Sequence, residues 1–128
     1  MNDNNYYLNK SKAVLREVRK SVIGKDDVIC KVYMAIIAGG HVLLDDIPGV
    51  GKTTMAHAFA NALGLGYNRI QFTPDVMPSD ITGFSMYNRQ TGKFEFKQGA
   101  AMCNLLLADE INRTSPKTQS ALLQIMAG

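Results

Sequence analysis

Apolar residues recur along this chain with two different periods, and the alternation between the periods lays out its elements. From Tyr6 to Ser21, Val14, Leu15 and Val18 fall at helical spacing and Val22 continues the stripe, which predicts an amphipathic helix. A second helix is predicted from Lys25 to Ala38, with Val28, Ile29, Val32 and Ile36 on one side. Asp26 and Asp27 suit its positive end, and Gly39-Gly40 stops it. His41 to Asp45 reads as a short buried strand. A third helix is predicted from Lys52 to Leu63, where Met55, Ala56, Phe59, Ala60 and Leu63 share a face and Gly64 ends it. Arg69 to Phe72 reads as a strand. Thr73 to Thr82 contains Pro74 and Pro78 among polar residues and reads as a loop or a broken turn of helix.

In the second half, Phe84 to Tyr87 and Lys93 to Lys97 flank Asn88-Arg89-Gln90-Thr91-Gly92, a glycine-containing connection that predicts a β-hairpin. Asn104 to Asp109 is the most apolar strand, with Leu105-Leu106-Leu107-Ala108 at its centre, as a parallel sheet covered on both faces requires. Thr114-Ser115-Pro116 opens a last helix, lined by Leu122, Leu123, Ile125 and Met126. Ser115 can cap it and Pro116 fits its first turn. This order implies an α/β fold, a parallel sheet flanked by helices with right-handed crossovers, plus a β-hairpin insert.

Composition narrows the class. With 128 residues, 46% hydrophobic and 20% charged, the chain can bury a core and corresponds to one domain or part of one. No apolar run approaches the roughly 20 residues of a bilayer span, and the polar start Met1 to Asn5 lacks a signal peptide's pattern. A cytoplasmic protein with no membrane partner is expected. Cys30 and Cys103 show no ligand spacing and are expected to be reduced and buried. The net charge of +3 is dispersed, and Lys10, Lys12, Arg16, Arg19 and Lys20 fall where a helix keeps its wet face, so no nucleic-acid partner is expected. His41 and His57 lack suggestive partners and read as structural.

Two segments carry chemistry. The first is Asp46-Ile47-Pro48-Gly49-Val50-Gly51-Lys52-Thr53-Thr54. Holding a flexible, highly charged phosphate chain takes several inward-facing backbone N–H groups, which a glycine-rich loop feeding a helix N-terminus supplies. In such a P-loop, Lys52 reaches the β- and γ-phosphates and the Thr53 hydroxyl ligates Mg²⁺. One residue departs from the pattern: Asp46 stands where glycine usually opens the motif. The second segment is Leu105 to Glu110, an apolar strand ending in two acids at the sheet edge where α/β folds bind ligands. Asp109 would hold Mg²⁺, and Glu110 would orient or deprotonate an attacking water.

Around these segments the chain resembles the AAA+ ATPases, and within them the MoxR family. The resemblance is carried by Gly39-Gly40-His41-Val42-Leu43-Leu44, Arg69-Ile70-Gln71-Phe72-Thr73-Pro74-Asp75, Pro78-Ser79-Asp80-Ile81-Thr82-Gly83, and the block Leu105 to Leu123 with Asp109-Glu110-Ile111-Asn112-Arg113 and Pro116-Lys117-Thr118-Gln119. It covers about Val22 to Met126, so residues 1–21 are expected as a separate helical segment and 22–128 as a partial AAA+ nucleotide-binding domain. The resemblance implies ATP and Mg²⁺ as cofactors and Pro48 to Thr54 as the phosphate loop. Lys52 and Glu110 would be catalytic, Thr53 and Asp109 the metal ligands, and Val22-Ile23-Gly24 would lie near the adenine. It further implies that the Phe84 to Lys97 hairpin is the clade's helix-2 insert, facing the ring pore. ATP hydrolysis would drive chaperone-like remodelling of a client protein complex, in a homo-hexamer often accompanied by von Willebrand factor A domain proteins. The family's sensor residues, arginine finger and lid match no residue of this sequence, which leaves a nucleotide-binding or assembly module without turnover of its own as the alternative. Arg113 is expected to be a structural or subunit-contact residue.

Overall fold

The computed structural model describes residues 3–44 and 49–128. Its internal contacts divide the chain into two compact units, one up to Gly66 and one from Tyr67 onward.

The first unit is helical. Helices α1 (Asp3–Ser21), α2 (Asp26–Ile37) and α3 (Gly49–Leu63) bury one stripe each. Val18 and Val22 from the first stripe, Ile29 and Tyr33 from the second, and Met55, Phe59 and Ala60 from the third form its core. Tyr33 links all three helices. Its ring stacks on Phe59 at a centroid distance of 6.2 Å, and its hydroxyl donates to Ser11 Oγ at 2.9 Å. A buried tyrosine keeps its apolar area in the core only if its O–H finds such a partner. The basic cluster on α1 lies on the exposed face, as expected. Lys20 pairs with Glu17 at 2.9 Å and Arg19 with Asp26 at 3.4 Å, both exposed and worth little to stability. Lys10 sits 4.8 Å from the centre of the Tyr6 ring, and its hydrogen bond to the Tyr6 side chain, with a smaller charge interaction, raises the ammonium pKa.

Two expectations fail here. Residues 41–44 form no strand, and Leu43 is 85% exposed. A strand exists only beside a hydrogen-bonded neighbour, and among the described residues none pairs with this segment; Asp45 lies outside them. In addition, α3 begins at Gly49 rather than Lys52. Glycine permits either loop or helix, and the helical form supplies internal acceptors to every amide from Thr53 onward.

The second unit is built on a two-stranded parallel sheet. Strand β1 (Tyr67–Gln71) pairs with β4 (Leu105–Asp109) in the register Tyr67 to Leu105 through Gln71 to Asp109. Because side chains alternate along a strand, Ile70, Leu106 and Ala108 share one face. They pack there with the buried core of Phe72, Ile81 and Leu122. Ile81 belongs to the short helix α4 (Pro78–Thr82) and Leu122 to α5 (Pro116–Ala127). The segment expected as a loop or broken turn thus contains a real turn of helix, closed at its start where the Met77 N–H donates to Asp80 Oδ2 at 2.8 Å. Ser115 caps α5 by accepting from the Thr118 N–H, with Pro116 in the first turn as predicted. Leu123, Ile125 and Met126, expected to line the same helix, are exposed rather than packed, and of that apolar set only Leu122 is buried. Cys30 and Cys103 are free thiols, half-buried instead of buried.

Strands β2 (Phe84–Asn88) and β3 (Lys93–Lys97) form the predicted antiparallel hairpin. At its tip the Asn88 side chain accepts from the Gln90 N–H at 2.9 Å and donates to Glu95 at 3.0 Å, the local bonding that suits asparagine to turns. Its base is a crossing of two glycines. Gly83 has φ +87°, and a Cβ there would stand 2.5 Å from the Lys97 carbonyl oxygen; a Cβ on Gly99 would collide with the Ile81 carbonyl. Only glycine allows both the positive φ and this backbone approach. The Ala100 and Ala101 N–H groups then donate to the Asp80 and Ile81 carbonyls at 2.9 and 3.1 Å, joining the hairpin's exit to α4.

Candidate functional site

In the first unit, Gly51, Lys52, Thr53 and Thr54, expected from the sequence to belong to a phosphate loop, occupy the opening of α3, a helix of 15 residues. The first turn of a helix presents its amide N–H groups outward, and the helix dipole adds partial positive charge at that end. Lys52, Thr53 and Thr54 are half-buried, in a stretch that also sends Met55 into the core. Pro48 and the unusual Asp46 lie outside the described residues. Val22, Ile23 and Gly24 form the turn between α1 and α2. Val22 is buried, Ile23 is exposed and Gly24 has φ +79°.

In the second unit, Asp109 ends β4. Its backbone carbonyl accepts from the Phe72 N–H at 2.9 Å, which fixes its position against the end of β1. Asp109 is buried, and its Oδ2 accepts from Arg69 Nη2 at 3.3 Å. Burying a carboxylate is costly unless it is paired, and Arg69 supplies the opposite charge. The two side chains share the sheet face opposite the apolar core, because Arg69 aligns with Leu107, two residues before Asp109.

Glu110 follows with φ 59° and ψ 43°, the only non-glycine residue with positive φ among those described. Such a conformation costs about 1–2 kcal/mol for a residue with a Cβ and persists only where its surroundings enforce it. Those surroundings are visible. The chain enters the 3-10 turn Ile111–Arg113 at once, and Arg113 N–H donates to the Glu110 carbonyl at 3.0 Å. The Gln119 amide donates to the Ile111 and Thr114 carbonyls at 3.2 and 3.3 Å, holding both ends of that turn. Thr118, fully buried, donates to the Val76 carbonyl at 2.9 Å. Glu110 itself is exposed, so its carboxylate is presented to solvent at the sheet's edge.

Sequence reasoning named Asp109 and Glu110 but missed the residues that hold them. Arg69, Thr118 and Gln119 stood only inside motif blocks. A lone arginine on a strand and a Thr-Gln pair in a helix opening were the available signals, and neither reveals its partner without the pairing register. Taken separately, the Thr53 hydroxyl in the first unit and the Asp109 carboxylate in the second are each a hard oxygen donor of the kind Mg²⁺ takes, and a lysine beside a helix N-terminus is the chemistry a phosphate takes. Among the described residues no group of three or more histidine, cysteine or acidic side chains could hold a metal alone.

Comparison with known proteins places the chain in a class. Residues 41–128 match the family described as "ATPase family associated with various cellular activities (AAA)", and the chain belongs to that family. Within it the MoxR resemblance is borne out. The chain is 43% identical over 110 residues to Chaperone MoxR1 of Mycobacterium tuberculosis, covering 86% of this chain and 29% of that protein. It is 55% identical over 112 residues to the protein YeaC of Bacillus subtilis, covering 88% and 35% respectively. A solved structure of a candidate ATPase from Cytophaga hutchinsonii superposes with a TM-score of 0.83 at 46% identity, over 95% of this chain and 37% of that one. The α/β fold of a partial P-loop NTPase is thereby established, and the chain spans about a third of the length of these relatives.

Proposed function

We propose that this chain is the Mg·ATP-binding part of a MoxR-type AAA+ ATPase. The observation that carries the reading is a buried, position-locked Asp109 followed directly by a strained, solvent-facing Glu110. That pairing separates the two jobs a nucleotide hydrolase needs, one carboxylate fixed for a cation and one exposed for water. Pro48 to Thr54 would wrap the phosphates, with Lys52 neutralising charge on the β- and γ-phosphates and Thr53 and Asp109 as Mg²⁺ ligands. Mg²⁺, when bound, neutralises charge developing on the phosphate oxygens. Glu110 would accept a proton from, or orient, the attacking water. Val22 to Gly24 would lie by the adenine, where exposed Ile23 offers apolar contact.

The name of Chaperone MoxR1 supports a chaperone-like role, in which hydrolysis remodels or activates a client complex. A cytoplasmic homo-hexamer, working with a von Willebrand factor A domain protein, is the assembly we assign to the whole protein. Calorimetry of this chain with Mg·ATP tests the core of the reading. Binding is expected, and Lys52→Ala is expected to weaken it at least about 100-fold, the loss of roughly 3 kcal/mol from a charge-assisted contact. A folded parent chain that binds no Mg·ATP would overturn the reading. Binding without any turnover would favour a nucleotide-binding module instead.

A further inference from the structure

We infer that Arg69 is a replaceable counter-ion for Asp109, a positioning residue that occupies the metal-side carboxylate until a divalent cation takes its place, and so sets how much Mg²⁺ the site needs. This rests on the nucleotide reading above. The ion pair is asymmetric in a way that suits such a role. Asp109 is 9% exposed at its side chain and locked by the strand pairing, whereas the Arg69 side chain is 41% exposed. The acid therefore cannot leave, and the arginine can swing into solvent with little lost packing. The bond is single-ended, one guanidinium nitrogen on one oxygen at 3.3 Å. A bidentate arginine pair would be shorter and harder to displace.

The energetic logic follows from burial. Without a cation, Arg69 offsets part of the cost of burying the Asp109 carboxylate. With a cation, a second positive charge near Asp109 opposes the first. Arg69 thus stabilises the metal-free chain and competes with metal. Sequence separation hides this: the partners stand 40 residues apart and meet only because β1 and β4 are neighbours.

The test is thermal unfolding of the full chain in excess chelator, followed by Mg²⁺ titration at a fixed ADP concentration, for the parent and for Arg69→Met and Arg69→Lys. Arg69→Met is expected to melt lower than the parent without Mg²⁺. Its half-saturating Mg²⁺ concentration should fall about threefold or more, because no charge has to be displaced. Arg69→Lys, which keeps the charge, is expected to lie between them and serves if the methionine variant does not fold. On an Asp109→Asn background, Arg69→Met should no longer lower the melting temperature, since no buried charge is left behind. If the parent responds to Mg²⁺ but the Arg69 variants show an unchanged or higher midpoint, the counter-ion role is overturned and the nucleotide reading stands. A parent that shows no response to Mg²⁺ overturns both.

Discussion

Glu110 illustrates how a single backbone conformation separates stability from function. Its left-handed geometry (φ 59°) is a cost that glycine would avoid. Glu110→Gly is therefore expected to raise chain stability by up to about 1 kcal/mol, the relieved strain less the extra unfolded-state freedom of glycine. Glu110→Gln should leave stability near the parent's, because the backbone demand is the same. Both should remove turnover while Mg·ATP binding persists. Urea denaturation alongside a phosphate-release assay checks this, and a Gly variant less stable than the Gln variant would mean that Glu110 is not strained. Thr118 makes the opposite case. Its hydroxyl is committed to the Val76 carbonyl inside the core, so Thr118→Val, similar in shape, should cost about 1–3 kcal/mol by leaving that carbonyl poorly paired.

At the scale of elements, the glycine crossing at Gly83 and Gly99 makes a sharp prediction. Either residue changed to alanine drives a methyl group into backbone rather than into a movable side chain. Gly83→Ala or Gly99→Ala should each destabilise the second unit by more than about 2 kcal/mol, whereas Phe94→Ala, at an exposed site on the hairpin, should cost under about 1 kcal/mol. Chemical denaturation monitored by tyrosine fluorescence separates the two classes. The elements legible in the sequence are those whose signals are local. Ser115-Pro116 marks the start of α5, the glycine-bearing connection marks the hairpin, and the Leu105 to Ala108 run marks β4, each within a residue or so of the observed bounds. What depends on partners distant in sequence was not legible. Residues 41–44 had a strand's composition and pair with no strand among the described residues; Tyr33 was omitted from the core because its hydroxyl partner, Ser11, lies on another helix. The site divides the same way, with Asp109 and Glu110 readable from a strand end and Arg69 and Gln119 readable only from the fold.

Across the whole molecule, large apolar side chains reach solvent from many elements. Ile23, Met34 and Leu43 do so in the first unit, and Phe94, Phe96 and Leu123 in the second. Exposed apolar surface promotes association, so the chain is expected to self-associate as its concentration rises. Light scattering across a concentration series checks this, and a constant monomer mass would count against it. No described helix is long and apolar enough to cross a membrane. The hairpin carries Tyr87, Phe94 and Phe96 on one face, yet it is fastened through main-chain groups at its base, the Gly83–Gly99 crossing and the amides of Ala100 and Ala101. None of those attachments reads a side chain of residues 85–95. The hairpin is thus an interchangeable cassette: its sequence can drift, or be replaced wholesale by a grafted ribbon of equal length, while the socket that receives it and the acidic edge beyond it stay as they are.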